Sequence, residues 1–351
     1  MMGGGEHSFL DFLSHLPKDW NALAVVPLEG DLASKLRSKS IPTRVIPLPS
    51  IRPWNIFSIV KSIRSYAHLC KRVSARLIYA NGSRAAFYGG IAGRMMNVPV
   101  IWHCRMTERD NYLDPIITRL SNFIIANSKA TALRFKKELS RKVKVVHNGV
   151  NLEWLREKGI EKPDLVHKDW KVILLVSRIS RWKRHDLALD AFEHIAPSYP
   201  NVHLVCVGAQ DLLESQWWAF LQERSVRSPF SSRIHWIGQV DDIRPWYRAA
   251  SILLLPSMNE PFGRVLVESM ALGVPVVAMR SGGIPEIVRH GQDGLLVTHG
   301  DASEIGRACL RLLGDAALRE SLGQSSKERA EVFSLHRHVK QMLDVFEEVS
   351  D

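Results

Sequence analysis

Short apolar runs alternate with longer amphipathic stretches along the whole chain, and that rhythm restricts it to an α/β architecture made of βα units. In the first half the strand candidates are 23–26, 44–46, 77–80, 100–102, 123–126 and 143–146. Helices are predicted between them at 56–73, 84–96 and 129–138. Asn148-Gly149 then marks a turn, and the polar stretch 157–171, with Gly159 and Pro163, reads as a linker. The second half restarts the pattern, with strands at 172–176, 202–207, 234–237, 252–255 and 274–278 and a helix at 185–195. A chain of 351 residues has room for two such domains. The expected division is 1–160 and 161–334, with 335–351 a closing helix that crosses back to the first domain. Two Rossmann-like domains facing across a cleft follow from this, with ligands at the carboxyl ends of the strands.

The start departs from the pattern. A doubly wound domain opens on a strand, yet Gly3-Gly4-Gly5 leads directly into a helix predicted over 9–16. The glycines read as the turn after a first strand that is absent. Either the chain has lost its start or another segment fills the gap.

Charge is divided unevenly. The net formal charge is +11, but residues 1–160 hold 25 Lys/Arg against 11 Asp/Glu, so the basic excess lies in the first half. Such a surface suits a phosphate-bearing acceptor or an anionic membrane face. No aromatic–basic readout motif accompanies it, so nucleic acid is not expected as a partner. The longest apolar runs are strand-sized, well short of the roughly 18 residues a membrane span needs. The glycine-rich opening lacks the basic-then-apolar pattern of a secretory signal. The four cysteines, Cys70, Cys104, Cys206 and Cys309, are not spaced as metal ligands and read as buried apolar groups in a reducing cytoplasm. A cytoplasmic protein, peripheral at the inner membrane face, is the expected location.

The densest chemistry lies at 251–294. A buried strand ends at Pro256, a loop carries Glu260-Pro261-Phe262-Gly263-Arg264-Val265, and a helix bearing Glu268 runs to Gly273. Pro261 keeps Glu260 out of helical conformation, in the loop. The helix start offers amide groups and a positive dipole end to an anion such as a diphosphate. Glu268 lies more than a turn further on, placed to accept hydrogen bonds from ribose hydroxyls. The pair is a poor match for glycoside hydrolysis. Eight residues of helical rise span about 12 Å, whereas hydrolytic carboxyls stand roughly 5–10 Å apart. Gly282-Gly283 then turns into a second helix with Pro285 in its first turn. Arg178 and Lys183 follow the second domain's first strand, where fixed cations would stabilise a departing diphosphate.

Together these residues resemble the retaining glycosyltransferases of family 4, whose paired-glutamate motif matches Glu260-Pro-Phe-Gly followed by Glu268. Gly282-Gly283-Ile-Pro-Glu286 and Arg178 with Lys183 match that family's other donor-side patterns. The resemblance implies a GT-B fold and transfer of a hexosyl unit from a nucleotide sugar, UDP in preference to GDP, to a saccharide or lipid-linked acceptor. It implies that Glu260 contacts the donor sugar and Glu268 the ribose, and that Arg178 and Lys183 hold the diphosphate. The backbones of Phe262, Gly263, Arg264 and Val265 would hold sugar and phosphates, and the base would lie near Gly208. His103, at a strand end, would touch the sugar near the reacting carbon. Gly4 and Gly5, Asn81 and Asn148 match the acceptor side. No metal or cofactor is implied, and the sequence has no Asp-x-Asp. The family usually has glycine where Ser177 and Arg184 stand, and proline at His147. Alternatives are a GT-B epimerase or phosphorylase, or a truncated subunit that binds a nucleotide sugar without turnover.

Overall fold

The structure, a computed structural model, describes residues 2–298 and 300–350. The chain forms two compact units. Unit 1 runs to Val150 and takes in the residues from Leu335 on, and unit 2 is Asn151–Ser334. The division therefore falls ten residues before the one read from polarity at 160. The short helix Leu152–Arg156 explains the shift. Asn151 caps it by accepting from the Trp154 amide at 3.0 Å. Leu152 and Leu155 are buried, and Arg156 Nε donates to the Ala271 carbonyl at 3.1 Å, which ties the helix to unit 2.

Unit 2 is a six-stranded parallel sheet. Its strands are β7 (Lys171–Val176), β8 (Val202–Val207), β9 (Ile234–Gly238), β10 (Ala250–Leu255), β11 (Val276–Met279) and β12 (Gly294–Val297), numbered along the whole chain. The spatial order is β12-β11-β10-β7-β8-β9, the doubly wound arrangement. Val172 to Leu175 are all 0% exposed, so β7 is covered on both faces, as a central parallel strand must be. Strand order reverses between β7 and β10, and there the loops leaving two neighbouring strands diverge and open a crevice.

Unit 1 holds β1 (Ala24–Val26), β2 (Thr43–Val45), β3 (Ile78–Asn81), β4 (Val100–Cys104), β5 (Phe123–Ala126) and β6 (Val143–Val145). Its sheet is divided: β1 pairs with β2, and β3-β4-β5-β6 form a separate parallel sheet. Among the described residues no strand joins the two parts, so the six strands of unit 1 lie in two sheets where those of unit 2 form one. The opening helix Gly4–Ser14 spans the division instead. Leu10 packs with Ala24 and Val26 of β1, while Phe12 lies edge-on to Tyr79 of β3 and to Phe346 of the closing helix Leu335–Ser350. That closing helix packs Leu335, Val339 and Met342 against Ile101 and Ile125 of unit 1.

The opening glycines are not a turn. Gly4 and Gly5 form the first turn of the helix, which starts five residues before the prediction. The Glu6 carboxylate reaches back to accept from the Gly3 amide at 2.6 Å and satisfies a donor at the helix start. All four cysteines are buried and free. Among the described residues no helix is long and apolar enough to cross a membrane.

Candidate active site

In unit 2 two of the predicted donor residues, Lys183 and Glu260, meet at the strand-order reversal. The chain leaves β7 through Ser177 and Arg178, makes a short turn at Arg181–Lys183, and enters the helix His185–Ile195. It leaves β10 through Pro256 and reaches Glu260 before the helix Arg264–Ala271. Lys183 Nζ donates to Glu260 Oε2 at 2.6 Å, with the two side chains 13% and 9% exposed. A cation and a carboxylate 77 residues apart in sequence are thus joined beside a helix start. The Glu260 side chain lies against that start, because a Cβ added to Gly263 would stand 3.4 Å from Glu260 Cγ.

The Gly282-Gly283 turn holds the Glu260 backbone. Gly283 N donates to the Glu260 carbonyl at 2.7 Å, and Ser281 Oγ accepts from the Asn259 amide at 2.7 Å. Gly282 has φ +57°, and a Cβ there would fall 2.2 Å from the Glu260 carbonyl oxygen. Only glycine permits so close an approach. The observed contacts of these two glycines, read from the sequence as donor-side, are with the loop that bears Glu260, and the Gly283 amide is engaged there.

Glu268 is held at both oxygens. Tyr247 Oη donates to Oε2 at 2.8 Å, and Arg264 Nε approaches Oε1 at 3.4 Å. Tyr247 is fully buried, and burial beside that carboxylate raises its phenol well above the ordinary tyrosine range. It is therefore a committed donor that fixes Glu268. Phe262 is buried against Phe333, with ring centroids 5.8 Å apart, and anchors the loop to unit 2. Val265 follows Arg264 in the first turn of that helix.

Arg178 stands apart from the Lys183–Glu260 pair. Its side chain is 52% exposed and faces Asp211 at 3.5 Å. Gly208 lies directly against the strand end that presents it, for a Cβ there would meet the Ser177 carbonyl oxygen at 2.0 Å. The Gly208 amide donates to the Gly238 carbonyl at 2.8 Å, so the carboxyl ends of β7, β8 and β9 close together around these backbones. His185, not foreseen as a site residue, is buried beside Ser177 Oγ at 3.3 Å, and desolvation with the nearby Lys183 pushes its pKa down to about 3.

In unit 1 the acceptor-side candidates converge on a residue that the sequence did not single out. Arg105 follows β4 and donates from Nε to Asn81 Oδ1 at 2.6 Å and from NH1 to Asn148 Oδ1 at 2.5 Å. Asn81 Nδ2 reaches the Gly5 carbonyl at 3.3 Å, and a Cβ on Gly5 would stand 3.2 Å from Arg105 Cδ. Gly4 precedes these contacts in the first helical turn. His103, read from the sequence as a strand-end residue, is 0% exposed. The reason is register: β4 continues to Cys104, so His103 is still inside the sheet, with Nδ1 2.7 Å from Tyr79 Oη. Burial, helped by Arg105 and His338, keeps its pKa well below the ordinary histidine range, and the ring is neutral.

A family model described as Glycosyltransferase Family 4 matches residues 2–154. A second, described as Glycosyl transferases group 1, matches residues 170–315. The chain belongs to glycosyltransferase family 4. An uncharacterized glycosyltransferase of Methanocaldococcus jannaschii is 30% identical over 245 residues, which is 69% of this chain and 64% of that protein. A D-inositol 3-phosphate glycosyltransferase of Streptomyces bingchenggensis is 32% identical over 216 residues, 59% of this chain and 48% of that one. The match thus spans about half to two thirds of the length of these relatives. Among solved structures, Anabaena HepE in complex with UDP and glucose superposes with a TM-score of 0.85 at 23% identity, over 98% of this chain and 96% of its own. The lipopolysaccharide outer core galactosyltransferase WaaB gives a TM-score of 0.72 at 16% identity, over 99% and 96%. At these identities the likeness is one of fold, the GT-B fold of two Rossmann-like domains.

Proposed function

We propose that this family 4 member transfers a hexosyl unit from a nucleoside diphosphate sugar, UDP in preference to GDP, to a saccharide or lipid-linked acceptor, with retention at the anomeric carbon. The observation that carries this reading is the Lys183–Glu260 pair at the strand-order reversal of unit 2, beside the start of the helix Arg264–Ala271. A nucleotide ligand belongs at such a crevice. Lys183, Arg178 and the helix dipole supply positive charge for the diphosphate, and that charge counts most as the leaving group gains electrons. Glu268, fixed by Tyr247, offers carboxylate oxygens to ribose hydroxyls. Glu260 is assigned to the sugar, and Gly208 to the neighbourhood of the base. Gly4, Gly5, Asn81 and Asn148 are assigned to the acceptor side, the last two joined by Arg105, and His103 is assigned to the donor sugar near the reacting carbon.

In the reaction the bond from the anomeric carbon to the phosphate oxygen breaks, and the acceptor hydroxyl oxygen bonds to the same face of that carbon. Its proton passes to the departing phosphate oxygen, so no protein nucleophile is required. The two side-chain cations carry the phosphate charge in this reading, and turnover is expected to persist in a chelator. UDP is the first base to try because HepE is described with UDP-glucose. A role in bacterial surface polysaccharide or glycolipid synthesis follows WaaB's description. The basic first half is assigned peripheral contact with an anionic membrane. The test is a panel of nucleotide sugars with and without acceptor, the product anomer being read by NMR. A transferred hexose of retained configuration is expected, and release of an inverted sugar contradicts the mechanism.

A further inference from the structure

Between Asp31 and Glu108 the chain has thirteen Lys or Arg and no Asp or Glu. Part of that charge lies on the helix Ile56–Arg72 of unit 1. One side of this helix is core: Ile59 and Ile63 pack with Tyr88, while Tyr66 and Ala67 pack with Ala92. The opposite side carries positions 56, 57, 60, 61, 64, 68 and 72, whose spacing places them in one stripe. With Arg44, Val45 and Ile46 at β2, this stripe lines a groove of about 820 Å³.

The stripe changes character along its length. At its start Ile56 is 52% exposed and Phe57 87%, and Trp54, just ahead of the helix, is 72% exposed. Further along come Lys61, Arg64 and Arg72, with Arg44 across the groove, and none has an acidic partner among the described residues. Cations toward the carboxyl end of a helix also complement its dipole.

We propose that this stripe is a docking surface for an anionic lipid bilayer. Large apolar side chains beside unpaired cations are costly against water but match the boundary where phosphate headgroups meet acyl chains. Trp54 and Phe57 enter that boundary, and Lys61, Arg64 and Arg44 reach the phosphates on their long stems. A nucleic acid would satisfy the cations and leave Ile56, Phe57 and Val60 in water. The proposal rests on the membrane contact assigned above and not on sugar transfer.

The test uses the full chain and vesicles of phosphatidylcholine with or without phosphatidylglycerol. The wild type sediments with the anionic vesicles and less so in salt. Lys61→Gln with Arg64→Gln weakens binding about thirtyfold, from the free energy each cation contributes at such a surface. Trp54→Ser with Phe57→Ser removes the part that survives salt. Both double variants keep the wild-type melting temperature and UDP binding, because these side chains are exposed. If the wild type ignores anionic vesicles, the membrane reading falls and sugar transfer is untouched. If it binds and both variants bind equally well, the docking surface lies elsewhere. Capture of the protein by single-stranded RNA in preference to vesicles also overturns the proposal.

Discussion

Lys183 and Glu260 form a short ion pair with both side chains largely withdrawn from water, so each is the other's main compensation for lost hydration. Lys183→Ala or Glu260→Ala alone is expected to lower the unfolding free energy by about 3 kcal/mol, since the remaining charge is stranded. The double variant should lose less than the sum of the two, and urea titrations of all four proteins measure the coupling. Gly282→Ala puts a methyl group against the Glu260 carbonyl at a left-handed φ. It should lower both the melting temperature and kcat, because the loop must move to admit it. Glu260, Lys183 and Glu268 could be read from the sequence because each sits in a dense local pattern of loop, proline, glycine and helix start. Arg105 and Tyr247 could not. Arg105 draws together Asn81 and Asn148, 24 and 43 residues away, and Tyr247 meets Glu268 across 21 residues. A lone arginine or tyrosine carries no local signal of such partners. Arg105→Lys is expected to reduce kcat while leaving UDP affinity unchanged, for an ammonium cannot reproduce the forked contacts.

At the level of elements, the central strands were the easiest to read, because a strand buried on both faces is a continuous apolar run. The prediction and the structure agree at β8 (Val202–Val207) and at the helix His185–Ile195. β12 went unrecognised because it opens at Gly294, directly after a turn. The helix expected over 129–138 shortens to Lys129–Ala132, a first turn capped by Ser128. Arg184 shows why a resemblance to glycine-bearing relatives is informative: its φ is +55°, in the left-handed region. The opening helix is the least ordinary element, since it spans a divided sheet. Phe12→Ala, which removes a ring buried among Tyr79 and Phe346, is expected to cost about 3–5 kcal/mol by urea unfolding.

For the whole molecule, the repeated βα rhythm predicted two α/β units with parallel strands, and both have them, although among the described residues the strands of unit 1 are divided between two sheets. Polarity alone placed the division too late, because a short helix that docks by its leucines looks like linker. Both units hold buried neutral histidines. Desolvation pushes His185 down to about 3 and His203 to about 4, and lowers His103 well below its usual range. The unfolded chain takes up these protons near pH 6.5 and the native protein does not. Stability is therefore complete above about pH 6.5 and falls as pH drops toward 4 and then 3, each histidine adding up to about 1.4 kcal/mol per pH unit. Urea midpoints measured from pH 7.5 to pH 4.5 should decline steadily, and a flat profile contradicts the assignment. The account as a whole depends on a diphosphate site formed by Arg178, Lys183 and the helix start at Arg264. Calorimetric titration of UDP into the full chain tests it most directly. Lys183→Ala and Arg178→Ala should each weaken UDP binding by about tenfold or more, the loss of one charge-assisted hydrogen bond. Affinity unchanged in both variants would contradict it.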